Sequence, residues 1–278
     1  MDFVALYKAE SEKLRNGQEE RQKVNPPVAS KAPGSWTNFE DLHIRLNFDD
    51  RNISNLFSLS DYCVVKSKDL YYIPNIMDEM SANLLKERIW EEGARNDKWV
   101  SLRNRQCQVW SEQEALSSDQ GHQYPQWIRC ISQQLIRDGL FTKEEAPNHL
   151  LVNQYPDVGG GISHHTDGPD YLELVCIISI GGPTVLTFKE RLNTEQIGLL
   201  VAEEPYKVIL EHNSMLVFSK ELYANYMHGI YPDGEVDVGG DLIDDSYVNT
   251  HLINDQDMIK SGTIKRGERI SLTFRKHL

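Results

Sequence analysis

The sequence predicts an α+β chain that is mainly β, a sandwich or small barrel of short strands propped by N-terminal helices. Two observations carry this. After Pro147 the chain reads as eight short apolar runs, HLLVNQY, GISHHTD, ELVCIISI, PTVLTF, YKVIL, SMLVF, NYMHGIY and ERISLTFR, separated by Gly, Pro, Asp and Asn. Runs of that length bounded by turn formers mark strands, and a series of them marks a sandwich or barrel. Before that point, MSANLLKERIWEEG and PQWIRCISQQLIRDGLF repeat their apolar residues at helical spacing instead.

The elements follow in order. Residues 1–25 are rich in Glu, Lys, Arg and Gln and favour a helix that Pro26 and Pro27 stop, and PPVASKAPGS then reads as a flexible linker. Residues 1–60 are accordingly expected to be an N-terminal extension, and 61–278 one domain. LYYIPNI, from Leu70, is a short strand. Asp78 is placed to cap the next helix, whose face is Leu84, Leu85 and Ile89 and whose end is expected at Gly93. KWVSL and QCQVW pair as a hairpin carried by Trp99 and Trp110. A second helix places Ile128, Ile131, Leu135 and Ile136 on one face. Thus 61–145 is support and 146–278 the strand-rich core. The acidic stretch of about 232–260 breaks the strand rhythm and is expected to be a long surface insert.

Composition narrows the class. Of 278 residues, 40% are hydrophobic and 26% charged, as in an ordinary globular protein. No apolar run approaches the roughly 18 residues that span a bilayer, and the start lacks a secretory pattern. An intracellular protein of the cytoplasm or nucleus is expected, monomeric and without a membrane partner. Cys63, Cys107, Cys130 and Cys176 are scattered with no CxxC pair, which suits a reducing compartment. The formal net charge of −13 means that any grip on nucleic acid must come from a local basic patch.

GGGISHHTDGP carries the chemistry. On a strand, His165 and Asp167 project to one face while His164 and Thr166 point away. A second imidazole would complete a 2-His-1-carboxylate face, which leaves positions open on iron(II). Of the remaining histidines, only His228 sits in a late strand followed by a glycine. In the last strand, Arg269 and Arg275 share a face, and two inward guanidinium groups call for a dianionic ligand. Asn153 and Tyr155 share a face of HLLVNQY, with an amide and a phenol suited to a carboxylate. Replacing His165 or Asp167 with alanine is expected to remove the metal and leave the β-fold intact.

The ordered set NQY, HTD, SIGG, MHGI and RISLTFR resembles the AlkB family of iron and 2-oxoglutarate dioxygenases, with HHTDGP and LLVNQY most similar to its sixth eukaryotic branch. The resemblance covers roughly residues 145–278, and YYIPNI with its following helix resembles the family's N-terminal support. It implies a double-stranded β-helix, or jelly roll, backed by helices. His165, Asp167 and His228 would bind Fe(II) as the catalytic centre. Arg269, helped by Tyr155, would hold the distal carboxylate of 2-oxoglutarate. Asn153 and Arg275 would lie at its chelating end, and Arg275 would also steady Asp167. KWVSLRNRQCQVW would be the substrate lid, with Trp99, Arg103, Arg105 and Trp110. The implied reaction uses O2 and 2-oxoglutarate, gives succinate, and removes N-methyl groups as formaldehyde from alkylated bases in DNA or RNA. Trp99, Trp110, Tyr124, Trp127 and Tyr171 are candidates to stack on a base, and Arg95, Arg103 and Arg105 to meet phosphate. Two alternatives stay open: a hydroxylase or demethylase of a protein or small molecule, and an inactive jelly-roll binding module.

Overall fold

The computed structural model describes residues 59–113, 124–191, 206–232, 241–244 and 246–278. In chain order these hold β1 (Cys63–Val65), β2 (Leu70–Ile73), α1 (Glu79–Arg95), β3 (Val100–Ser101), β4 (Gln106–Ser111), α2 (Gln126–Arg137), β5 (His149–Tyr155), β6 (Ile162–His165), β7 (Leu174–Gly181) and β8 (Thr184–Glu190). There follow β9 (Tyr206–Leu210), β10 (Ser214–Ser219), α3 (Glu221–Asn225), β11 (Tyr226–Ile230), β12 (Asp241–Leu242), α4 (Gln256–Ser261), β13 (Thr263–Ile264) and β14 (Arg269–Arg275). The helix and linker expected at the N-terminus lie outside the described residues.

Eight strands form one antiparallel sheet in the order β1-β2-β10-β7-β14-β5-β4-β3, and four form a smaller one, β6-β11-β8-β9. Alternation along each strand sorts side chains between two cores. Leu150, Val152, Cys176, Ile178, Met215, Ile270, Leu272 and Phe274 face the layer of α1 and α2. Their neighbours Leu151, Tyr155, Val175, Ile177, Leu216 and Phe218 face the small sheet, meeting Phe188, Val208 and Ile230. Each large apolar side chain so buried contributes about 1.5–3 kcal/mol. The large sheet is therefore sandwiched, helices on one face and the small sheet on the other, which is the jelly roll with helical support that the sequence implied.

The helices form for local reasons. The Asp78 carboxylate accepts from the Ser81 amide at 2.7 Å and caps α1. Ala82, Leu85 and Ile89 give α1 its buried stripe, while Leu84 is only half-buried. Gly93 does not end the helix, which continues to Arg95. Its role is close approach: a Cβ there would lie 2.1 Å from Gln108 Nε2 and 2.7 Å from Trp99 Nε1, so the bare backbone lets α1 settle on β4.

The acidic stretch also departs from expectation. Residues 233–240 and 245 lie outside the described residues, but the remainder docks rather than protruding. Asn249 is buried, its amide donating to the Ile209 carbonyl at 2.8 Å and accepting from the Ile209 N–H at 2.9 Å. Tyr247, Ile253 and Met258 enter the core beside it. Buried Glu211 accepts from the amides of Asn254 and Asp255 and from the Tyr72 hydroxyl, which ties the start of α4 to the large sheet. The charge of the stretch hid these few apolar and amide anchors.

Candidate metal centre

The centre is built where β6 pairs with β11. His165 sits opposite His228, and Ile162 opposite Ile230, so three steps on β6 match two on β11. That bulge turns both Ile162 and His165 inward, which strict alternation would forbid. It also presses β6 onto its neighbour: a Cβ at Gly229 would lie 2.9 Å from the His164 amide nitrogen and 3.0 Å from its Cα. The glycine after His228 is therefore what allows the two imidazoles to face each other, their ring centroids 4.5 Å apart.

Asp167 follows just beyond β6 and completes the group. Donor atoms from His165, Asp167 and His228, all three buried, lie within 4.8 Å of one another. The His165 Nδ1–H donates to the Ser163 carbonyl at 2.9 Å, which leaves Nε2 as the lone-pair atom. Phe188 and Phe218 pack against the His228 ring. Asp167 Oδ2 is sealed from solvent with no hydrogen-bond partner among the described residues. His228 Nε2 is 4.0 Å away. A buried carboxylate oxygen left this way is costly, and a divalent cation between the three donors would satisfy it. The set fits Fe(II).

Asp167 Oδ1 accepts from Arg275 Nη1. Arg275 is itself fully buried, with its guanidinium 4.2 Å over the Tyr171 ring. His149 lies 3.4 Å from Arg275 Nη2, and its other nitrogen is 3.3 Å from the Tyr171 hydroxyl. Burial pushes the Asp167 carboxyl up, but Arg275, then the two imidazoles, outweigh it and hold it below the usual carboxylate range. Burial and the facing His228 lower His165 to about 3. Burial also lowers His228, and burial with the Arg275 charge sends His149 well below its ordinary value.

A pH dependence follows. Unfolded, these histidines take up protons below about pH 6.5; folded, all three take them up at lower pH, His165 at about 3. Depressed folded values mean stability that is complete above about 6.5 and lost as the pH falls from there toward 3. The urea midpoint of the metal-free protein is expected to stay nearly level from pH 7.5 to about 6.5 and to fall from there to pH 5. A flat midpoint over that interval would contradict the buried, neutral imidazoles.

A candidate anion site surrounds Arg269. Arg269 is buried and donates from Nη2 to Ser179 Oγ at 2.8 Å, with its guanidinium 5.4 Å over the Tyr155 ring. Its Nε and Nη1 have no acceptor among the described residues. Burial lowers its pKa to about 10, still charged at neutral pH, so a cation with two unused donor nitrogens is buried here, an arrangement that suits a carboxylate. Asn153 is buried on the same inner face, and Arg105 Nε donates to its Oδ1 at 3.1 Å.

The expected lid divides. Arg103 is exposed in the turn between β3 and β4, whereas Arg105 is buried inside the jelly roll and is no part of a surface phosphate patch. Trp110 is buried in the helix-facing core and donates to Gln108 Oε1. Trp99 packs on Trp90 at 4.6 Å at the edge of that core. Tyr124 and Trp127 are buried there too, on the far side of the sheet from the metal donors. Tyr171 lies inside against Arg275. Of the basic residues expected to meet phosphate, Arg95 is exposed at the end of α1, where it pairs with Glu92. Sequence reasoning missed His149 and Ser179. Ser179 was the findable one, a lone hydroxyl in the apolar run IISIGG that needs a buried partner.

The model for the family described as the 2OG-Fe(II) oxygenase superfamily matches residues 70–275. A relative from Danio rerio, named probable RNA/DNA demethylase ALKBH6, is 28% identical over 209 residues, 74% of this chain and 84% of the relative. The solved structure of OsALKBH1 is 16% identical and covers 76% of this chain and 97% of its own, with a TM-score of 0.48. A Pseudomonas putida prolyl-4-hydroxylase is 10% identical and covers 80% and 100%, with a TM-score of 0.41. The relative supports the AlkB resemblance read from the motifs. The matched span runs from β2 to the end of β14 and takes in His165, Asp167, His228 and Arg269, and the chain belongs to the 2OG-Fe(II) oxygenase superfamily.

Proposed function

We propose that this oxygenase demethylates alkylated nucleobases in DNA or RNA, releasing formaldehyde and succinate. The observation that carries the oxygenase site is the set of buried atoms without a partner among the described residues, Asp167 Oδ2 and Arg269 Nε and Nη1. The nucleobase part is supported by the relative's name and by the AlkB-like motifs. In this reading His165, Asp167 and His228 hold Fe(II), and Arg269 with Tyr155 takes the distal carboxylate of 2-oxoglutarate. Asn153 and Arg275 lie at its other end. When bound, the iron couples decarboxylation of 2-oxoglutarate by O2 to oxidation of a C–H bond. The chain's own residues set the geometry. Ser163 fixes the His165 tautomer, Arg275 turns Asp167, and Phe188 with Phe218 keeps water from His228. The reading is completed by a monomer working in the cytoplasm or nucleus; no helix among the described residues is long and apolar enough to cross a membrane.

A second reading, a hydroxylase or demethylase of a protein or small molecule, is favoured by two observations. The net charge is −13, and Arg105 is withdrawn from the expected phosphate patch. The test has two stages. Anaerobic addition of 2-oxoglutarate to the Fe(II)-loaded protein is expected to give a visible metal-to-ligand charge-transfer band that His165→Ala lacks. Formaldehyde release from methylated oligonucleotides is then compared with that from methylated peptides. Absence of the band in folded protein would remove the oxygenase site; release from peptides alone would transfer the substrate to the second reading.

A further inference from the structure

Arg105 immediately precedes β4, and alternation puts it with Cys107 on the inner face that Asn153 and Tyr155 also line. The turn that carries it is pinned twice: the Leu102 amide donates to the Arg105 carbonyl at 2.8 Å, and the Gly161 amide, at the entry to β6, donates to the Asn104 carbonyl at 3.3 Å. Its charge is felt by both Tyr155 and His165. A guanidinium only donates, so the Asn153 atom 3.1 Å from Arg105 Nε must be the amide oxygen. The orientation of that amide is thereby decided, with its NH2 on the opposite side. Without Arg105 the two ends of the amide would be nearly equivalent in shape, and the oxygen could turn toward an incoming anion.

We propose that Arg105 is a positioning residue for the cosubstrate: it locks the Asn153 amide so that its NH2, not its oxygen, is offered to the carboxylate or keto oxygen at the chelating end of 2-oxoglutarate. This rests on the oxygenase reading above. Arg105 acts through Asn153 and touches neither the substrate base nor phosphate.

The test is titration of 2-oxoglutarate into the full-length Fe(II)-loaded protein without oxygen, read by calorimetry and by the charge-transfer band. Arg105→Met is expected to weaken 2-oxoglutarate about tenfold, the worth of one well-made hydrogen bond, with iron content unchanged. Arg105→Lys, which keeps a donor, should recover part of the loss. Asn153→Asp keeps the tie to Arg105 but has no NH2, so it should lose affinity as Asn153→Ala does. Decisively, Arg105→Met added to Asn153→Ala should cost nothing further. Unchanged affinity in Arg105→Met, or additive losses in the double variant, overturns the proposal. If Arg105→Met fails to fold, Arg105→Lys and the Asn153→Asp comparison decide alone, through the same two readouts. Arg269→Met run alongside separates the two levels: if it too binds 2-oxoglutarate normally, the pocket assignment itself has failed.

Discussion

Asp167→Ala is expected to cost the protein both its metal and a large part of its stability. The carboxylate accepts from Arg275, and that guanidinium is fully buried. Removing one member of a buried pair leaves the other charge uncompensated, a loss of about 3–5 kcal/mol. Typical domains have only about 5–15 kcal/mol to lose. For Asp167 this expected cost runs against the sequence expectation that alanine at either ligand leaves the fold intact. His165→Ala, by contrast, removes a neutral ring that leaves no buried charge uncompensated; it should lose iron and lose less stability than Asp167→Ala. Iron content and urea midpoints of the two variants separate these effects. An Asp167→Ala protein as stable as His165→Ala would show that Arg275 finds other compensation.

Arg269→Met should move function and stability in opposite directions. In the wild type a charged guanidinium is sealed in the interior with two donors unused, an arrangement that is unfavourable until an anion arrives. Methionine fills similar volume without charge, so the ligand-free variant is expected to gain about 1 kcal/mol or more. It should also bind 2-oxoglutarate at least about 100-fold more weakly, the loss of two charge-assisted hydrogen bonds at about 1.5 kcal/mol each. Thermal midpoints with and without 2-oxoglutarate read both effects. A variant destabilised in the absence of ligand would mean that Arg269 is a structural residue first.

Legibility followed physical cause. HLLVNQY and YKVIL are read to the residue because each is a short apolar run that follows a proline and ends at polar turn formers. The triad was legible because His165 and Asp167 obey alternation and His228 precedes a glycine. The bulge that makes them converge was not, since it depends on the close approach of Gly229 to His164. Gly93 was misread because a helix stop and a helix–strand contact use the same residue. The lid grouping failed on parity: Arg105 and Trp110 differ by an odd number of steps, so one strand cannot present both to one side. Arg105 read as surface because the sequence shows its charge but not the Asn153 amide waiting inside.

The small sheet holds one more consequence. β6 is its edge strand and bonds to β11 alone within that sheet, yet it carries His165 and leads directly to Asp167. Four residues peeling outward would uncover the centre while the eight-stranded sheet stayed closed, an opening of far lower free energy than global unfolding. An ion held by His165, Asp167 and His228 would tie β6 to β11 and act as a rivet across that seam. Amide exchange at β6 and β11 should therefore slow when metal is present and set the pace at which the ion leaves.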